Sequence, residues 1–297
     1  SNPANPIFTH INENAQNNPI QGTGHGDFVQ ANDGSWWIVF LGFRPQSLLH
    51  HVLGRETFLA PVRWDANAWP VINGDGTVDI NMNVPTLPLQ PEKKQDLSTD
   101  FDEAKLGFDW NYLRNPLMNN YSLTEKKGSL RLKASSVTLD DNDSPTFVGR
   151  RQEHIDFSAT TVLSLNDAKK GDQAGMTVYY SSQAHYEIFL TKSEKGKQKL
   201  LVRYHMGALN HIAYEMEIPS DKIYLKVKGD KDFYSFYYSL DGKKFNFLSK
   251  INVWYLSSET NGGFTGVFLG LYATSQNKNT KAYADFDTFI YKPENLD

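Results

Sequence analysis

Residues 21–43 read QGTGHGDFVQANDGSWWIVFLGF, and residues 53–57 read LGRET. The first segment puts His25 between Gly24 and Gly26, in a glycine-flanked turn ahead of the strand-like run Phe28–Gln30. A second turn, Ala31 to Ser35, leads into the apolar run Trp36–Phe40, and Arg55 follows after a short loop. Glycine has no Cβ, so the backbone around His25 can approach a ligand closely. The guanidinium of Arg55 offers five N–H donors in a rigid fork suited to carboxylates or paired hydroxyls. An imidazole and a guanidinium near the ends of neighbouring strands could floor a small polar pocket. Hydrolysis needs carboxylates as well, and this stretch is poorly equipped with them.

Outward from that stretch, residues 1–20 are rich in Asn and Pro and read as an irregular lead-in in which His10 is a loop or surface residue. The run Trp36–Leu41 is apolar at every position, which predicts burial of both faces. Thr57–Val62 and Trp69–Ile72 are further strands, separated by the turn Asp65-Ala66-Asn67. These short antiparallel units read as two blades of a radial sheet, which bury a core only beside neighbours. Val84–Gln90 is a proline-spaced extended connector, and 91–100 its polar continuation as a linker.

From residue 101 onward, strand-like runs recur at short spacing: Ser129–Ala134, Phe157–Leu165, Gly175–Tyr180, Tyr186–Leu190, Leu200–His205, Ala213–Ile218, Tyr224–Val227, Phe233–Ser239, Phe264–Tyr272 and Ala282–Tyr291. Several alternate, as in Tyr224-Leu225-Lys226-Val227-Lys228, and no helical period persists beyond a turn or two. That pattern predicts a β-sandwich over 101–297.

The chain of 297 residues is long enough for two cores. A formal charge of -4 with mixed signs gives no reason to expect nucleic acid or an anionic membrane as partner. Cysteine is absent, which excludes disulfides and thiolate metal sites and leaves the compartment open. Aromatics at 13% suit both β-structure and sugar-stacking surfaces.

The phrases QGTGHGD (21–27), WWIVFLG (36–42), LGRETFLAPV (53–62) and WPVIN (69–73) together resemble glycoside hydrolase family 43, in its β-xylosidase and α-L-arabinofuranosidase branch. WNYLRNP (110–116), VGRRQ (148–152), FTGVFLG (264–270) and ADFD (284–287) are similar to that branch's appended sandwich. The resemblance covers essentially the whole chain. It implies an all-β protein: part of a five-bladed β-propeller, about two blades within residues 1–90, followed by a concanavalin-like β-sandwich of the lectin and glucanase type. It implies inverting hydrolysis of terminal xylosyl or arabinofuranosyl residues by the complete enzyme, with an oligosaccharide as partner. The family's general base, pKa-tuning Asp and general-acid Glu lie in earlier blades, and no position here matches them, so this chain alone is expected to be inactive. The other expected partners are the preceding propeller segment or a second copy of the chain. A non-catalytic carbohydrate-binding protein built on the sandwich is the alternative.

On that resemblance, His25 sits at the propeller centre, near sugar or a cation that it would meet through water, and Arg55 lies under the sugar beside the base. Thr23 shapes the turn. Phe264, after Gly262-Gly263, either closes the site from the sandwich or starts a core strand. No cofactor is required; calcium at the propeller centre or in the sandwich is the cation allowed for. Read without the resemblance, His25 could simply bond a neighbouring strand, and Arg55 could form a surface salt bridge. Asp27, bracing its own turn, and Glu56, on the strand face opposite Arg55, read as structural. Trp36, Trp37, Trp110 and Trp254 read as core or interface, and His50-His51 as a solvated pair. His154, His185, His205 and His211 lack the spacing of a metal site.

Overall fold

Trp36, Ile38 and Phe40 alternate along one strand and stand opposite Val62, Ala60 and Phe58 on the next, and this register builds the first sheet. The computed structural model describes residues 1–11, 17–46, 49–84, 86–91 and 97–294. Strands β1 (Gln21–Gln30), β2 (Trp36–Phe43), β3 (Glu56–Trp64) and β4 (Pro70–Ile72) pair antiparallel in the order β1-β2-β3-β4. One face carries Ile38, Phe40, Ala60, Val62 and Ile72, closed by Ile20, Val78 and Phe8 from the flanking segments.

Three expectations change here. The strands that read as two blades form one four-stranded meander, because β2 and β3 pair continuously from Trp36↔Val62 to Gly42↔Glu56. The apolar run of β2 is not buried throughout: on the face opposite Ile38 and Phe40, Trp37 is buried but Val39 is 38% exposed, beside Leu59 at 39%. His10 is no surface residue; it is buried, with Nδ1 against the Ile20 carbonyl (2.6 Å) and Nε2 accepting from Val78 N–H (3.0 Å). Its ring staples the lead-in to the segment after β4.

The second unit stacks two antiparallel sheets. In chain order its strands are β5 (Asn111–Tyr112), β6 (Tyr121–Ser122), β7 (Leu130–Lys133), β8 (Thr146–Arg151), β9 (Phe157–Asn166), β10 (Asp172–Ser181), β11 (Ala184–Lys192), β12 (Gln198–Met206), β13 (Leu209–Glu217), β14 (Lys222–Gly229), β15 (Phe233–Ser239), β16 (Asn246–Asn252), β17 (Phe268–Ser275) and β18 (Tyr283–Pro293). One sheet runs β13-β12-β11-β10-β17-β8-β5 and the other β16-β15-β14-β9-β18-β7-β6. Of the 91–100 linker, residues 92–96 lie outside the described residues; Thr99 bridges to Phe289, and Phe101 is buried in the sandwich core. Among the described residues, no ladder joins the first sheet to either sandwich sheet.

Aromatic rings cross the sandwich, Tyr186 to Tyr234 at 6.1 Å and Tyr204 to Phe236 at 6.1 Å. The buried hydroxyls have partners: Tyr186 donates to the Asn252 carbonyl (3.1 Å), Tyr234 to Gln152 Oε1 (2.6 Å). Strand β14 alternates buried and half-buried positions, as a strand with one wet face should. Strands β10 and β11 are buried almost throughout, because their outer face is covered too. There Leu139 closes a second small core over Phe147, Tyr179, Phe189, Leu201 and Tyr272.

Packing is close at Gly229, where a Cβ would meet Phe157 Cε1 at 2.2 Å. Gly229→Ala is therefore expected to destabilise the chain by roughly 1–3 kcal/mol, as overpacking does. Gly24→Ala, whose Cβ meets nothing within 4 Å, should change stability little. Denaturant midpoints for the two variants check this, and equal effects would contradict the packing argument.

Candidate active-site cleft

Between β2 and β3 the chain leaves the first sheet and lies along the sandwich. Val52 is buried in the sandwich core, and its carbonyl accepts from Val267 N–H at 2.8 Å. The Leu53 carbonyl accepts from Arg151 Nη2 at 3.2 Å. Gly54 has φ +77°, and a Cβ on Gly266 would come within 2.2 Å of the Leu53 oxygen. The two segments touch backbone to backbone, which only glycine permits.

His51 is buried, a correction to its reading as half of a solvated pair. Its ring stacks on Phe43 (4.1 Å, 15°), its N–H donates to Glu259 Oε2 (2.9 Å), and Nδ1 faces Glu259 Oε1 at 2.5 Å. Glu259 sits on the one-turn helix α1 (Ser258–Asn261), capped by Ser257, whose side chain accepts from Thr260 N–H. Burial alone would raise the Glu259 pKa, but the His51 backbone N–H and ring outweigh it and hold it below the usual value.

This seam sets the place of Arg55 and Phe264. Phe264 follows Gly262 (φ 74°) and Gly263 (φ 81°), is 68% exposed, and precedes β17 without joining it. The Arg55 guanidinium carbon lies 3.8 Å from the Phe264 ring centroid, a cation–π contact worth about 0.5–1 kcal/mol at an exposed site. The pair opens on a cleft of about 590 Å³, lined also by Phe108, Asp109, Arg151 and Glu153.

The carboxylates of the cleft are each beside an arginine. Glu56 is gripped by Arg44, with Nε at 3.1 and 3.0 Å from its two oxygens and Nη2 at 2.8 Å from Oε1. Asp109 lies 2.8 Å and Glu153 3.8 Å from Arg150 Nη2. Asp27 is inside β1 opposite Val39, so it braces no turn.

His25 is likewise in a strand and not in a turn. β1 bulges twice against β2, between Gln21 and Gly24 and again between Gly24 and Asp27. His25 is in the second bulge, exposed, at φ 50°. A bulge adds a residue and re-aims a side chain, which is how the Gly-His-Gly phrase presents its ring. Gly24 pairs with Leu41 and Leu41 with Thr57, so His25 and Arg55 are at one end of the sheet, two strands apart. The usual strand spacing makes that roughly 10 Å. His25 does not line the cleft with Arg55 and Phe264. Thr23 is half-buried in β1, and its hydroxyl has no hydrogen-bond partner among the described residues.

Among the described residues, a group of three side chains able to hold a metal occurs at Asp140, His185 and His205, in the sandwich, and none gathers around His25. Calcium favours six to eight oxygen ligands, whereas the Asp140 group offers one carboxylate and two imidazoles. His185 and His205, which read as scattered, are direct cross-strand partners.

Comparison with known proteins places this geometry. The β-xylosidase C-terminal concanavalin A-like domain model matches residues 98–292, and the glycosyl hydrolases family 43 model matches residues 1–70. The chain belongs to glycoside hydrolase family 43. A non-reducing end alpha-L-arabinofuranosidase of Bacteroides ovatus is 36% identical over 291 residues, covering 98% of this chain and 54% of that protein. A xylosidase/arabinosidase of Butyrivibrio fibrisolvens is 30% identical over 290 residues, covering 97% and 55%. The chain thus spans about half the length of these curated relatives. Among solved structures, the xylan beta-1,4-xylosidase of Bacillus halodurans superposes with a TM-score of 0.90 at 28% identity, covering 98% of this chain and 56% of that one.

For a family 43 chain of this branch, the sequence held one more legible site residue than was singled out. Arg151, within the phrase VGRRQ, links the seam to the cleft by bonding Leu53 and lying 5.4 Å from the Phe268 ring centroid. Phe108, fully exposed on the cleft rim, had no signal beyond its exposure in the fold. The depressed Glu259 pKa makes a prediction for the seam. Its contribution is complete above the ordinary glutamate range near 4.5 and is lost as pH falls below it. Glu259→Gln should lower the melting temperature at pH 7 and reduce its decline on acidification. Melting curves between pH 3 and 7 test this.

Proposed function

We propose that this chain is the C-terminal portion of an exo-acting glycosidase that releases terminal xylosyl or arabinofuranosyl residues from oligosaccharides. The preceding blades of the propeller supply the acid and base. The observation that carries this reading is the Arg55–Phe264 pair, in which a guanidinium from the first sheet and a ring from the sandwich meet at 3.8 Å over an open cleft. A guanidinium can hold sugar hydroxyls and keep a neighbouring base ionised, while an aromatic wall blocks longer chains from passing through. His25 adds a polar ring near the same end of the sheet. Inverting hydrolysis needs two carboxyls ~6.5–9.5 Å apart, one protonated and one ionised. In this reading neither of the two comes from the cleft described here.

The chain incubated alone with an aryl β-xyloside or aryl α-L-arabinofuranoside is expected to give no turnover above background. In a complete enzyme carrying this segment, Arg55→Ala should lower kcat/KM by about 10²-fold, mainly through kcat. Phe264→Ala should have a smaller effect there and relax the preference for chain ends. Turnover by the isolated chain that is abolished by Glu56→Gln or Asp27→Asn would overturn the assignment. Binding of xylo-oligosaccharide by the isolated chain, with Arg55→Ala inert in the complete enzyme, would favour the carbohydrate-binding reading.

A further inference from the structure

The outer face of the β10–β12 sheet carries polar side chains that the cleft does not use. His185 and His205 stand opposite each other on β11 and β12, with rings 4.7 Å apart and nearly parallel at 11°. Asp140, from the segment that covers this face, reaches both: its Oδ1 lies 3.0 Å from His185 Nε2 and 3.6 Å from His205 Nδ1. Asp140 and His185 form an ion pair when the ring is protonated, but none of these atoms makes a well-formed hydrogen bond among the described residues. Asp140 Oδ1, His185 Nε2 and both ring nitrogens of His205 are buried with no hydrogen-bond partner among the described residues. His185 is 0% exposed and His205 8%, so water cannot easily satisfy them.

We propose that Asp140, His185 and His205 form a binding site for a divalent transition-metal ion of the zinc type, which ties the covering segment to the sheet. The donor set is one carboxylate oxygen and two imidazole nitrogens, suited to zinc, cobalt or nickel and not to calcium. Zinc bonds of ~2.0–2.1 Å in a tetrahedron put ligand atoms about 3.3 Å apart. The two Asp140 separations, 3.0 and 3.6 Å, already bracket that figure, and all three donor atoms lie within 4.8 Å of one another. The adjustment it asks for is a turn of the His205 ring out of its stack on His185, and among the described residues no hydrogen bond of that ring resists it.

The second layer is built to match. His185 Nδ1 faces the Ser181 carbonyl at 3.1 Å, which fixes that nitrogen as the donor and leaves Nε2 toward Asp140. Glu187 lies 3.3 Å from His185 Nε2 but is held by Arg203, Nε at 2.8 Å and Nη2 at 2.7 Å, and by the Tyr272 hydroxyl. It therefore contributes charge to the site and stays with its own partners. The Asp140 side chain is 37% exposed, so the ion has an entry path from that side. The competing occupant is a proton on His185, which would bridge the same carboxylates.

The test titrates the full chain, stripped with a chelator, with zinc chloride by calorimetry, and with cobalt chloride by visible absorption. One zinc per chain, a rise in melting temperature, and cobalt d–d bands of a four- or five-coordinate site are expected. Asp140→Asn and His205→Gln should each weaken zinc binding at least ~10-fold and abolish the cobalt bands. Both should keep the wild-type circular dichroism, because the pairing of β11 with β12 is held by its backbone ladder. His211→Gln, on the neighbouring strand, should leave binding unchanged. Absence of stoichiometric zinc binding, or equal binding by wild type, Asp140→Asn and His205→Gln, overturns the site.

Discussion

The backbone contact between Leu53-Gly54 and Gly266-Val267 is the constraint on which the rest of the molecule depends. Magnitudes decide the direction of that dependence. Burying Val52 in the sandwich core is worth about 1.5–3 kcal/mol, and its hydrogen bond from Val267 adds about 0.5–1.5 kcal/mol. The exposed cation–π contact of Arg55 with Phe264 contributes about 0.5–1 kcal/mol. The seam therefore holds the cleft in place, and the cleft does little to hold the seam. Arg55 leaves the contact one residue after Gly54, and Phe264 enters it two residues before Gly266. Neither can move far while the glycines are in contact.

Much of this was legible in the sequence because strands announce themselves locally. Alternation in Tyr224–Lys228 and the β-branched and aromatic runs of β9 to β12 located the sandwich, although the strands extend further than the runs that marked them. The illegible features are those whose partners are distant. His51 looked solvated because its carboxylate, Glu259, lies 208 positions away. The four strands of the first sheet looked like two units because the pairing of β2 with β3 spans a loop that serves the seam. His185 and His205 are 20 positions apart, a spacing with no meaning on a helix. They meet only because the register of β11 with β12 sets them opposite each other. Phe264 could not be assigned to lid or strand from residue types alone, since an aromatic beside glycine fits either.

The two faces of the β10–β12 sheet divide the labour of specification. The inner face is apolar and generic in chemistry: Tyr186, Ile188 and Val202 would pack against many partners. The outer face holds the fully buried Glu187, held ionised well below the ordinary glutamate range because Arg203 and His185 outweigh the effect of burial. A buried charge of this kind adds little net stability but penalises any register that separates it from Arg203. A one-residue slip of β12 against β11 would strand Glu187 on the wrong neighbour.

The position of β18 has a consequence for how the molecule is made. It is the last strand in chain order, yet it lies inside its sheet, between β9 and β7. On the ribosome, β9 and β7 leave the exit tunnel early and must wait for a common neighbour, each with an open edge of unpaired N–H and C=O groups. The sheet of residues 21–72, whose contacts are local, can close long before. A message that stops before Tyr283 would therefore not yield a shorter sandwich. It would yield two exposed strand edges in the middle of a sheet, and a template for aggregation.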